Sequence, residues 1–327
     1  LQLTADYLSG QLTDFLASTD TFAAWWVKEV TTAVVRIGDD ANLEADTDVV
    51  ISATTKSKET NKVHDETQAI AVTTIESTSE VTLGEGTHIA AGNDVTITTD
   101  ATIEATAEAK TAKDLGATTA TEDAPIAVAI AKSNLNSKIR VAETALIRSG
   151  GDLTLHAKGE QAVSSDAGAG NDFEEGVGVS AAFSFPKSSV TTDVLGSLRS
   201  EAGAGDTGIV ILAELETDEQ SVAITGLGGA DAPDPVSSLS VDVQTFLDTH
   251  IEPIMDSLMS NNVGSPVSPN IDASPATAVI ESDNNVAATV HGEATVGSLL
   301  DLDVGSSLTA KVRTFAESVF VQDPTTK

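Results

Sequence analysis

Over most of the chain, apolar residues alternate with polar ones, and the alternation returns in aligned copies. Ile37, Leu83, Val141 and Val290 form one column, and Leu43, Ile89, Ile147 and Val296 follow six residues later. Five residues further on come Asp48, Asp94, Asp152 and Asp301, each opening a new alternation: Val49/Ile51, Val95/Ile97, Leu153/Leu155 and Leu302/Val304. Reading backwards, Val35, Val81, Ile139 and Ala288 lie two residues before the first column, and Trp26, Val72, Ile130 and Val279 eleven before it. A fifth copy fits with Val194, Thr192 and Phe183. It then departs, because Leu198 comes early and the loop SEAGAGDTG (200–208) delays the last alternation to Ile209 and Ile211. Period-two alternation predicts strands with one buried face. Between Ile89 and Val95 the run Ala91-Gly92-Asn93-Asp94 predicts a turn, as does Gly150-Gly151-Asp152 one copy later.

The spacing from Asp48 to Asp94 and from Asp94 to Asp152 falls in the range of solenoids and arrays, whose units bury their apolar faces only against neighbours. The expected fold is therefore all-β, a right-handed parallel β-helix with short α-helical insertions. An array of antiparallel β-sandwich repeats is the alternative, and whether a repeat makes one coil or two stays open. The copies differ mainly in the segment between one unit's last strand and the next unit's first. It holds 110–125, then 164–176, then a stretch of about 50 residues from Leu227 to Pro275. In that last stretch Leu239, Val243, Phe246, Leu247, Ile251, Ile254, Met255 and Leu258 fall at helical spacing, with Pro253 kinking or restarting the helix. Tyr7, Leu8, Leu12, Phe15 and Leu16 predict a similar helix before the Trp25-Trp26 strand. The organisation expected is a helical cap at 1–21, solenoid repeats over 22–225, a Pro-rich helical insertion at 226–275 and a continuing repeat over 276–327. Insertions at one junction line one side of a solenoid, where they pad the rod or bind a partner. The opening LQLTADYLSG and the closing VQDPTTK read as cuts through something longer.

Composition narrows the partners. Fifty acidic residues against 17 basic ones give a formal charge of −33, which repels nucleic acid and argues against anionic membranes. Such acidity suits a divalent-cation binder, saline surroundings or a surface that must stay soluble. No run of 18 apolar residues is present, so no helical membrane span is expected. The chain has no cysteine, hence neither disulfides nor thiolate metal sites. Aromatics are only 3% of residues, so Ala, Val, Leu and Ile must supply a thin core.

The recurring Asp48, Asp94, Asp152 and Asp301 are the candidate metal ligands, for calcium, with Asp39, Asp40, Asp46, Glu85 and Asp303 nearby. An Asp at a turn also bonds its own turn backbone, and that reading stands beside the first. No other cofactor is indicated. The five histidines share no column or ligand spacing, and His88 and His291 are expected to face solvent. Ser180 in GVGVSAAF reads as plain strand, and Trp26 as a core position rather than a sugar platform. Without a constellation of acids, bases and aromatic platforms, an enzyme is not expected; a polysaccharide-active β-helix enzyme is the least favoured reading.

The run AVAIAKSNLNSKIRVAETALIRSGGDLTLHAKGEQAVSSDA (127–167) resembles the repeats of filamentous-haemagglutinin-like adhesins and other giant bacterial surface proteins. IGDDANLEADTDVVISA (37–53) and LGEGTHIAAGNDVTITT (83–99) are similar in the same way. The resemblance implies an exported right-handed β-helical rod that serves attachment or surface architecture. Its expected partners are a cell-surface glycan or protein, or copies of itself. The alternative is a structural subunit that assembles into a filament, sheath or layer.

Overall fold

A computed structural model describes residues 23–65, 68–111, 126–169, 179–201, 207–227, 276–297 and 301–320. The helices expected within 1–21 and 226–275 lie outside these residues. The described residues form strands joined by short corners, with no helix among them. Each coil reads long strand, short strand, long strand. The first coil is β1 (Ala23–Ile37), β2 (Asn42–Ala45) and β3 (Val49–His64). The second is β4 (Gln68–Leu83), β5 (His88–Ala91) and β6 (Val95–Lys110), and the third β7 (Ile126–Val141), β8 (Leu146–Ser149) and β9 (Leu153–Ala169). The fourth is β10 (Val179–Val194), β11 (Ser197–Ser200) and β12 (Gly208–Leu227). The fifth divides its first strand into β13 (Ala276–Ile280) and β14 (Asp283–Val290), followed by β15 (Ala294–Thr295) and β16 (Asp301–Phe320).

Every pairing is parallel, and the coils stack into three sheets. Sheet A runs β1-β4-β7-β10 and then β13 and β14, sheet B β2-β5-β8-β11-β15, and sheet C β3-β6-β9-β12-β16. This is a parallel β-helix with one coil per repeat, and parallel crossovers of this kind wind right-handed. Strands of 16 residues are about 50 Å long, whereas five coils about 4.8 Å apart rise only ~20 Å. The described unit is thus a slab, wider than it is tall along the stacking axis.

The register follows the columns of the sequence almost throughout. Ile37 pairs Leu83, Leu83 pairs Val141, and Val194 pairs both Val141 and Val290. Trp26 stacks through Val72 and Ile130 to Phe183 and Val279. The corner departs in the last two coils: Leu198 stacks on Ile147, and Ala294, not Val296, stacks on Leu198. Both corners are shorter by two residues than those of the first three coils, so Leu198 is in register rather than early. At particular corner positions the stacking leaves no room for a side chain. A Cβ added to Gly150 would lie 2.0 Å from the Gly92 carbonyl oxygen one coil away.

Sheets A and C face each other across a wedge-shaped interior. Beside sheet B, which holds them apart, the filling is large: Val81, Leu83, Ile89, Val95 and Ile97 in one coil, and Ile139, Val141, Ile147, Leu153 and Leu155 in the next. Towards the opposite edge, where the strands of sheet C end and those of sheet A begin, inward positions shrink to Ala69, Ala71, Ala105, Ala107, Ala127, Ala129 and Ala167. Hydroxyls bridge the gap there. Thr73 Oγ1 donates to the Thr106 carbonyl (2.8 Å), Ser221 Oγ to that of Ala182 (2.8 Å), and Thr55 Oγ1 lies 2.7 Å from Ser77 Oγ. A hydroxyl one carbon from its own backbone reaches the facing backbone only when the sheets lie well inside the ~10 Å of an ordinary sandwich.

Sheet A has a second buried surface at this thin edge. The outward-facing Ile70, Val72, Ile126, Val128, Ile130, Phe183 and Phe185 are buried, and the Phe183 and Phe185 rings lie parallel with centroids 6.3 Å apart. No described element lies over them. Trp26 belongs to this outward column, which corrects its expected place in the core; it is exposed, as is Trp25.

The apolar end of the wedge carries most of the packing stability. Ile97 is fully buried on Ile51 and Leu155, so Ile97→Ala is expected to cost about 2–5 kcal/mol. Urea unfolding followed by circular dichroism measures it.

Candidate functional site

The aspartate column sits where sheet B's corner passes into sheet C, each residue immediately before the first inward position of the long strand. Parallel stacking brings Asp48, Asp94 and Asp152 into line, and there each carboxylate accepts from the backbone of the coil above. Asp48 Oδ1 takes the Asp94 N–H at 3.3 Å, and Asp94 Oδ1 takes the Asp152 N–H at 2.8 Å. Asp152 Oδ1 takes the N–H groups of Thr207 and Gly208, at 2.7 and 2.9 Å. The fourth coil has Gly208 in the column, paired with Asp301 in the fifth. The arrangement satisfies corner donors that no strand ladder reaches.

A second ladder occupies the other corner, between sheets A and B. Asp39 Oδ1 accepts the Glu85 N–H at 2.9 Å, and Glu85 Oε2 accepts both the N–H and the hydroxyl of Thr144, at 3.1 and 2.6 Å. Thr144 Oγ1 in turn accepts the Gly86 N–H at 2.7 Å. Asp40 adopts φ of 55°, the left-handed turn that Asp tolerates and that Gly86 adopts at the same place in the next coil, with φ of 64°. These acids stand at corner turns, and the structure puts the nearby Asp39 and Glu85 to backbone work. Among the described residues, no three Asp, Glu or His side chains are grouped to hold a metal ion.

On the outer face of sheet C, acids and bases of neighbouring coils alternate. Lys58 pairs Glu104 at 2.5 Å, and Lys62 pairs Glu108, which also meets Lys110 at 3.4 Å and His64 at 3.3 Å. Arg313 pairs Asp218 at 2.5 Å, and His156 meets Glu214 at 3.0 Å. Stacked like charges would repel in every coil, so cations at alternating levels offset part of the −33. His88 bonds Asn42 Oδ1 at 3.0 Å through Nδ1 and is partly exposed, and His291 is exposed. Ser180 Oγ lies 2.5 Å from Thr225 Oγ1 in the buried interior, a strand position as expected.

The residues that sequence reasoning missed are inward-facing polar ones: Gln161, Thr217 and Glu219, all buried. Their alternation with Lys158, Glu160, Glu216 and Asp218 leaves no polarity contrast from which to assign a face. The signal available was register, since Gln161 stacks on Ile103, itself a buried position in line with Ser57.

No known family model matches the chain, and no curated protein or solved structure matches it.

Two expectations follow from the ladders. Asp94→Ala is expected to cost about 0.5–1.5 kcal/mol in urea unfolding, because the Asp152 N–H loses its acceptor, while Asp94→Asn keeps most of the stability. A calcium-dependent rise in the midpoint, lost in both variants, would assign the column to the metal instead. The Thr144 hydroxyl and N–H bonds hold the Glu85 carboxyl below the usual glutamate range. A lowered value in the folded state contributes stability above the ordinary glutamate range and loses it as pH falls through the lowered value. Glu85→Gln is therefore expected to unfold at lower urea than the wild type at neutral pH. The gap closes on acidification, and unfolding midpoints across acidic pH check it.

Proposed function

We propose that the chain is a non-enzymatic β-helical segment of a large, exported, adhesin-like surface protein, acting as a stalk or binding scaffold. One observation carries the reading: among the described residues, both terminal coils are open. In β16 the interior-column side chains Leu302, Val304, Leu308 and Val312 are 45%, 41%, 49% and 56% exposed, whereas Ile211 and Leu215 in the coil below are buried. At the other end β1 and β3 each have a neighbour on one side only, and Val27, Val35, Ile37 and Val49 are half-buried. An open coil offers unpaired backbone groups and apolar columns to a further coil of the same geometry. The repeat style supports export and attachment, and the acidic outer face suits a surface kept soluble in the open.

The open ends also favour a second reading, a subunit that stacks head to tail on its own copies. Continuing the register would lay Val279 over Trp26, Val290 over Ile37 and Val304 over Ile51. The same register would set Lys311 over Lys58, a like-charge contact that works against it.

Light scattering and negative-stain electron microscopy of the purified chain, with and without millimolar calcium, separate the two. A scaffold segment gives the same small particles in both conditions and binds immobilised cell-surface glycan or protein. Fibres or sheets that Val304→Lys and Leu308→Lys together abolish would move the conclusion to the self-assembling subunit.

A further inference from the structure

We infer that the interior of the solenoid holds a monovalent metal cation, bound by Glu219, Thr217 and Gln161. Glu219 and Thr217 are alternate inward positions of β12, and Gln161 is the register partner of Thr217 on β9. Their exposures are 0%, 1% and 2%, so none reaches solvent. Each keeps an oxygen without a partner: Glu219 Oε2, Thr217 Oγ1 and Gln161 Oε1.

The remaining polar atoms of the cluster are engaged, and they fix how it is oriented. Ser282 Oγ donates to Glu219 Oε1 at 2.9 Å, Asn284 Nδ2 donates to Ser282 Oγ at 2.7 Å, and Ser188 Oγ donates to Asn284 Oδ1. Gln161 Nε2 donates to Ser133 Oγ at 2.6 Å and to the Lys187 carbonyl at 3.2 Å. With its amide nitrogen held by sheet A, Gln161 turns its oxygen away from those partners, and only the Thr217 hydroxyl among the three free groups can donate.

The backbone is interrupted at the same level. Glu281 and Ser282 separate β13 from β14, opposite Phe185 and Pro186. Pro186 has no N–H to give a neighbouring strand, so the ladder breaks there and Ser282 is released to reach Glu219.

A buried carboxylate without a basic partner is costly unless its charge is balanced, and among the described residues Glu219 has only Ser282 on one oxygen and nothing on the other. A carboxylate, an amide carbonyl and a hydroxyl form an all-oxygen donor set, which suits hard cations. One negative charge is neutralised by a single positive one. A divalent ion would leave net charge buried, which selects a sodium-like ion over calcium. This site is separate from the aspartate corners and does not depend on the scaffold reading.

The test compares thermal unfolding in sodium chloride and in choline chloride at equal ionic strength, for the wild type and Glu219→Gln. Equal ionic strength keeps general screening of the acidic surface the same. The wild type is expected to melt about 5 °C higher in sodium, a shift that grows with sodium concentration, and Glu219→Gln to melt alike in both salts. Thr217→Val, which keeps the carboxylate, is expected to need about tenfold more sodium for the same shift. Equal wild-type melting in the two salts overturns the inference. An infrared carbonyl band of a neutral carboxylic acid, absent in Glu219→Gln, would then identify the buried group as uncharged.

Discussion

A parallel coil cannot close its own backbone hydrogen bonds; each long strand gives them to the coils above and below. That requirement holds every other feature in place. It forces residue-by-residue stacking, as in the fifteen-residue register from Ala23 on Ala69 to Ile37 on Leu83. It also makes any deviation cumulative, because a slip of one residue would turn a whole strand's apolar set outward. Corners are the points where the ladder lapses, and there Asp48, Asp94, Asp152, Asp39 and Glu85 take up the N–H groups that strands would otherwise satisfy. Stacking also multiplies charge, so a chain this acidic needs Lys58, Lys62 and Arg313 set opposite acids of the adjoining coil.

The interior follows from the same geometry. Sheet B spaces the long sheets at one edge, and at the other they draw together, where the Gln68 N–H donates to Asp65 Oδ1 at 3.3 Å. Leucine and isoleucine fit the wide edge; alanine, serine and threonine are what the narrow edge admits. Hydroxyls crossing to facing carbonyls then do what side-chain packing does elsewhere, and an aromatic content of 3% is the compositional result.

Much of this was legible from periodicity. The columns through Ile37, Trp26 and Asp48 are the observed registers, because turn chemistry and alternation mark each copy at the same place. The corner of the last two coils was not. Val296 is apolar and correctly spaced by the earlier copies, while the structure uses Ala294, since only stacking on Leu198 decides between them. Trp26 reads as a core position because it belongs to an apolar column, but its partners Val72 and Ile130 lie on the outer face. Inward and outward sets resemble one another at the narrow edge: Ser, Thr and Ala occupy both. Hydropathy therefore has no contrast to read there, and Gln161 and Glu219 pass for surface residues.

The narrow edge has a compensating feature. Alanines facing inward bury little apolar area, so the stability missing inside must come from elsewhere in the same coils. The outer face of sheet A supplies it, with Ile70, Val72, Ile126, Val128, Ile130, Phe183 and Phe185 buried where strands of this width ordinarily meet water. At roughly 1.5–3 kcal/mol for each fully buried large side chain, this outer layer is comparable to the apolar corner at the wide edge. Each insertion of the chain precedes a strand of sheet A at this edge, before Ile126, Val179 or Ala276. The variable part of each repeat and its second apolar surface thus coincide. A solenoid that lengthens only at that edge changes its insertions without disturbing a single ladder.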